Sequence, residues 1–198
     1  LKCKVCQLVK LFKNGKPFKM SKRAGDFISA QDLLNEVSKD SIRFMMLNRS
    51  NDVELDFDFD KVLEKNKENP VFYVQYSFAR INSLFRTLNK TLDDEIYLEA
   101  DNFTLNNIEE KILRKVFEWP KIIESASSKH EPHRIPYYLY ELSTLFHSYW
   151  SKGNDDESFK FIKNGKIKKN ETLAVIMLVA IVVQRGMNIL GVSLPTKM

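Results

Sequence analysis

PVFYVQYSFARINSLFRTL, residues 70–88, decides the architecture. Val74, Phe78, Ile81, Phe85 and Leu88 recur at the spacing of three and four that lines one side of an α-helix. Pro70 suits either the break of a preceding helix or the first turn of a new one, where its missing N–H is no loss. A single apolar stripe needs partners to cover it, so the rest of the chain is searched for more of the same.

Downstream the pattern repeats three times. Ile112, Val116, Trp119 and Ile123 share one helical face, with Pro120 as a kink. Ile135, Leu139, Leu142, Phe146 and Tyr149 share another. A third helix, from about Asn170 to Leu190, is apolar on nearly every side at its centre and is expected to be the buried one. Its longest apolar run, Leu173 to Val183, is too short to span a bilayer. Residues 91–106 read as a linker, with Asp93, Asp94 and Glu95 solvated. Residues 151–169, rich in Lys, Asn, Gly and Asp, read as a mobile or loosely ordered loop. His130 and His133 flank Pro132 with no third ligand nearby, so they read as a helix entry and no metal site is expected.

Upstream the signals are mixed. Residues 3–12 carry Val5, Leu8, Val9, Leu11 and Phe12 and run into Asn14-Gly15, so a strand and a turn are expected. Ser29 with Asp32 forms a capping box that opens a helix carrying Leu33, Leu34 and Val37. A second short helix from about Asp40 carries Ile42, Met45, Met46 and Leu47. The alternation Asp56-Phe57-Asp58-Phe59-Asp60 reads as an extended lead into a helix from about Asp58. The expected fold class is mainly α: a helical bundle preceded by a short strand–loop fragment.

Composition agrees with a globular chain and narrows little else. The 198 residues are 43% hydrophobic, with six Gly and six Pro, and carry a formal charge of +5. That balance permits a polyanionic partner without requiring one. Cys3 and Cys6 form a lone CxxC, read as two ordinary thiols. No signal peptide is seen, and the chain reads as a soluble, cytoplasmic, monomeric piece of a longer polypeptide.

Between the strand and the first helix lies KPFKMSKRAGD, residues 16–26. Three lysines in a flexible loop can close over a polyphosphate and hold charge that builds at phosphorus; most such clusters are merely solvated surface. Its wording is more specific. Lys19-Met20-Ser21-Lys22 spells the KMSK signature of class I aminoacyl-tRNA synthetases. The continuation KMSKRAGDFISAQDLLNEVSKDSIRFMML, then LDFDFDKVLEKNKENPVFYVQYSFAR, EPHRIPYYLYELSTLFHSYW and the closing RGMNILGVSLPTKM, resembles the arginyl-tRNA synthetase family over nearly the whole chain.

The resemblance implies an arrangement and a chemistry. Residues 1–28 would end a Rossmann-type catalytic domain, 29–56 would be a helical connector, and 57–198 would be the anticodon-binding domain of class Ia type. The family's reaction joins arginine to tRNA(Arg) through an arginyl-adenylate, with ATP and Mg²⁺. Lys19 and Lys22 would neutralise the departing pyrophosphate, with Ser21 beside them at the nucleotide; the role of Arg23 stays open. The His-x-Gly-His type signature is absent, so this stretch alone is not expected to aminoacylate or to bind ATP.

RNA recognition commonly splays bases onto aromatic and guanidinium planes. Tyr73, Tyr76 and Arg80 fall at i, i+3 and i+7 on a helix face turned away from the stripe, with Gln75 among them. The same residues also suit a packed helix with Arg80 paired to an acid. The family resemblance favours base binding; Tyr149 and Trp150, which end the next-to-last helix, are candidates for a second wall, although Tyr149 also continues the apolar stripe, and the resemblance places the tail residue Met198 nearby. Two other readings stand: another class Ia synthetase, cysteinyl or methionyl, and a helical protein-interaction module with a chance KMSK.

Overall fold

The computed structural model describes residues 3–18, 29–98 and 103–198. Lys19, Ser21 and Lys22, the expected nucleotide-contacting residues, lie outside the described residues. Helix accounts for 59% of the structure, as the apolar stripes require.

Two cores form. The smaller one is built around β1 (Val9–Lys13), which turns at Asn14-Gly15 into β2 (Lys16–Pro17). A third strand, β3 (Leu55–Asp58), runs parallel to β1 on its other side, giving the order β2-β1-β3. Leu55 and Phe57 face inward while Asp56 and Asp58 do not, the period-two pattern of a half-buried strand. Leu11, Val37, Phe59 and Val62 complete this core. Helix α1 (Ala30–Glu36) opens on the expected Ser29–Asp32 capping box, and α2 (Lys39–Leu47) on a Ser38 cap. Asp58 ends β3 and caps α3 (Phe59–Leu63), which accounts for the acid at the strand-to-helix turn. Strand β1 begins only at Val9; residues 3–8 are exposed and not in a strand. Residues of the strand fragment, the connector and the segment after it thus share one core.

The larger core is the bundle. Helix α4 (Pro70–Thr87) starts with Pro70 in its first turn, so that proline begins a helix and does not break one. Buried Asn69 joins it to α3: its Oδ1 caps Phe72 N–H, and its Nδ2 donates to the carbonyls of Val62 and Glu64. Helix α5 (Asn107–Phe117) and α6 (Trp119–Lys129) meet at Glu118, with Pro120 in the first turn of α6. The expected kink is a full break. Helix α7 (Arg134–Asp155) and α8 (Asn170–Leu190) supply the centre, where Leu139, Leu142, Phe146, Leu173, Ile176 and Val179 are fully buried. They cross closely at Gly186, where a methyl group would stand 2.7 Å from a Leu139 Cδ. By length and composition alone α8 could cross a membrane, but more than half of its apolar window is buried inside the bundle, as in a core helix.

The expected loose loop at 151–169 is ordered. Helix α7 runs on to Asp155, a 3₁₀ turn follows at Glu157–Phe159, and β4 (Ile162–Lys163) pairs with β5 (Lys166–Ile167) as an antiparallel hairpin. Phe161, 7% exposed, anchors it. Its Asn164-Gly165 turn has both residues at positive φ, which asparagine and glycine tolerate.

Candidate nucleic-acid interface

Helix α4 presents two sides. Val74, Phe78, Ile81 and Phe85 enter the core, while Tyr76 and Arg80 stay partly exposed on the other side. The Arg80 guanidinium carbon lies 4.3 Å from the centre of the Tyr76 ring and 5.2 Å from that of Trp150 on α7. A cation over aromatic rings is held by their negative faces. Arg80 pairs with no acid among the described residues, so the acid pairing that a packed helix would bring does not form.

His147 fixes that arginine from below. Its Nε2 is 3.1 Å from the Tyr73 carbonyl, which only accepts, so Nε2 carries the proton. Its Nδ1 is then free to accept from Arg80 Nη1 at 3.3 Å. Burial drives the His147 pKa down to about 4; the Tyr73 carbonyl opposes the shift and the Arg80 charge adds to it. The ring is therefore neutral at pH 7, the one form that can hold Arg80 this way.

Tyr76, Ala79, Arg80, Ser83, Arg86, Trp150, Lys197 and Met198 line an open groove of about 490 Å³. Three cations and two aromatic rings face it and no carboxylate side chain does. The tail reaches it by a strap of bonds across the bundle. Gly191 ends α8 at φ 67, and Arg43 on α2 donates to the Leu190 carbonyl. Ser193 donates to Asp40, Gln75 donates to the Ser193 carbonyl at 2.9 Å, and Arg86 donates to the Thr196 carbonyl at 3.0 Å. Lys197 and Met198 are delivered to the groove as a result.

Of the seven residues expected at an RNA surface, the structure brings four together: Tyr76, Arg80, Trp150 and Met198. Gln75 stands aside and positions the tail. Tyr73 is half-buried, packed against Tyr140 at 5.3 Å and His147 at 4.3 Å, and does not line the groove. Tyr149 does not meet the expectation of a stacking wall. It is 2% exposed, and its hydroxyl donates to buried Glu109 at 2.7 Å and accepts from Asn106. It continues the core stripe of α7, and burial, with the Glu109 carboxyl next, pushes its pKa up. Sequence reasoning missed Ser83, one turn beyond Arg80 on the same face; Arg86, a turn further on, lies in the 80–90 segment whose Lys and Arg side chains the sequence offers as phosphate contacts. It also missed His147, whose signal was a polar ring one turn before Trp150.

Among the described residues no cluster of three His, Cys, Asp or Glu side chains could hold a metal ion. His130 is the left-handed C-cap of α6, and His133 precedes α7, so the pair marks a helix junction.

Residues 74–198 match the family described as the DALR anticodon binding domain. Proteins named arginine–tRNA ligase from Pelagibacter ubique and Ruegeria pomeroyi are 55% and 48% identical over 99% and 98% of this chain. The chain covers 34% of the length of each and corresponds to their C-terminal part. A Campylobacter jejuni structure assigned as an arginyl-tRNA synthetase superposes with a TM-score of 0.83 at 30% identity, over 98% of this chain and 40% of that one. Thermus thermophilus arginyl-tRNA synthetase shares the fold, with a TM-score of 0.67 at 18% identity over 98% of this chain and 35% of its own. With the groove lying wholly inside the matched segment, this chain belongs to the DALR anticodon-binding domain family.

Proposed function

We propose that the bundle binds the anticodon region of tRNA(Arg), as the C-terminal part of an arginine–tRNA ligase. The observation that carries this is the stack of Tyr76, Arg80 and Trp150, with Met198 brought alongside by the tail. Aromatic and guanidinium groups at a groove surface hold unstacked bases, and each stacked base contributes about 1–3 kcal/mol. Arg86 and Lys197 on the rim suit the flanking phosphates. The 55% identity to a protein named arginine–tRNA ligase favours the arginine system over cysteinyl or methionyl ones.

In the longer protein, ATP, Mg²⁺ and arginine would meet chiefly upstream of this segment. Lys19 and Lys22 would neutralise pyrophosphate at the edge of that site, with Ser21 beside them. The chain would act as a monomer in the cytoplasm, and by itself it would bind tRNA without charging it.

The test is a titration of the chain with tRNA(Arg) and with an unrelated tRNA. Tyr76→Ala should weaken tRNA(Arg) binding by about 5- to 150-fold, the equivalent of one stacked base, with an unchanged circular dichroism spectrum. Equal affinity of the wild-type chain for both tRNAs would overturn the reading.

A further inference from the structure

The hairpin that the sequence hid carries a charge pattern the groove does not explain. Lys160, Lys163, Lys166, Lys168 and Lys169 fall within ten residues with no acid between them, and all five are exposed. Among the described residues none of them pairs with a carboxylate. The neighbouring acids, Asp155, Asp156, Glu157 and Glu171, lie at the foot of the hairpin.

Lys163 and Lys166 are directly paired across the two strands. Like charges in that position repel and destabilise a hairpin. Ile162 and Ile167 form the adjacent pair and pack toward the bundle, so alternation turns the two lysines to the other side. The arrangement is also rigid. Phe161 lies 4.7 Å from the Tyr149 ring and 5.6 Å from the Trp150 ring. The Lys168 N–H donates to the Phe161 carbonyl at 2.9 Å, and its ammonium donates to the carbonyls of Glu157 and Ser158. Trp150 thus touches Arg80 on one side and the root of the hairpin on the other.

We propose that the β4–β5 hairpin is a backbone clamp for RNA, with Lys163 and Lys166 gripping phosphates of the strand whose bases enter the groove. This rests on the groove being an RNA interface. A phosphate between the two ammonium groups would replace their mutual repulsion with two attractions. The contact would carry no base preference, because a phosphate is the same beside every base.

The experiment measures tRNA affinity of the chain from about 50 to 200 mM salt for the wild type, a K163Q/K166Q variant and a K65Q/K67Q variant that loses the same charge elsewhere. Two phosphate contacts on a single strand contribute about 1.4 to the slope of log affinity against log salt. The hairpin variant should show that shallower slope and a several-fold loss at low salt, equal for tRNA(Arg) and an unrelated tRNA. A slope unchanged from wild type, or one matched by K65Q/K67Q, would overturn the clamp. So would binding to phosphatidylserine vesicles that the pair controls while tRNA binding stays unchanged. Tyr76→Ala separates the two claims: loss of preference among tRNAs tests the groove, and a uniform loss with a shallower slope tests the hairpin.

Discussion

Acidifying the protein from pH 7 to pH 5 should remove a share of its stability that His147 holds. The unfolded chain takes up a proton on this histidine near the ordinary value of 6.5, while the native chain resists until about 4. Between those values the unfolded state binds more protons, so stability is full above about 6.5 and falls as the pH drops toward 4. The gap corresponds to about 2 kcal/mol lost at pH 5 and about 3 kcal/mol at pH 4. The physical event is the loss of the Nδ1 lone pair that accepts from Arg80, followed by repulsion between two neighbouring cations. Urea unfolding at pH 7 and pH 5, followed by circular dichroism, reads the effect. Other groups titrate in the same range, so the comparison is with His147→Gln, which cannot titrate. The wild type should lose about 2 kcal/mol more than the variant between the two pH values. Parallel losses in both proteins would refute the assignment of His147 as the neutral support of Arg80.

The buried Glu109 carboxyl accepts from the Tyr149 and Thr172 hydroxyls and from the Asn106 N–H, so Glu109→Ala strands three donors and should cost about 3 kcal/mol or more by urea denaturation. Glu109→Gln keeps an oxygen for the two hydroxyls and should cost about 1 kcal/mol, the loss of one acceptor. Gly186→Ala forces a methyl group into Leu139, which has no exposed surface through which to yield, and should cost about 1–3 kcal/mol in the same measurement.

The bundle is legible in the sequence because burial leaves a periodic mark. Val74, Phe78, Ile81 and Phe85 repeat on the turn of the helix, and each is buried where that repeat puts it. The hairpin at 162–167 leaves none: two-residue strands are too short for a period, and the lysines around them read as solvated loop. Only the Asn164-Gly165 turn between Ile162 and Ile167 betrays it. Of the groove, Tyr76 and Arg80 share one helix face and are visible from spacing alone. Trp150 and Met198 arrive from other elements: Trp150 is a candidate only as an aromatic residue at a helix end, and Met198 only through the family resemblance. Tyr149 and Trp150 differ by one step of about 100° around α7, enough to turn one into the core and the other into the groove. The tail strap escapes sequence reasoning altogether, because Arg43, Gln75 and Arg86 grip main-chain carbonyls, which every residue has.

The fluorescence of Trp150 tests the central claim most directly, since its ring lies beside Arg80 in the groove. In a Trp119→Phe background Trp150 is the sole tryptophan of the chain. Titration with the anticodon stem-loop of tRNA(Arg) should change its emission in a saturable way that tracks binding, with weaker binding when the anticodon is altered. Tight binding of the stem-loop with Trp150 emission unchanged would contradict base recognition in this groove.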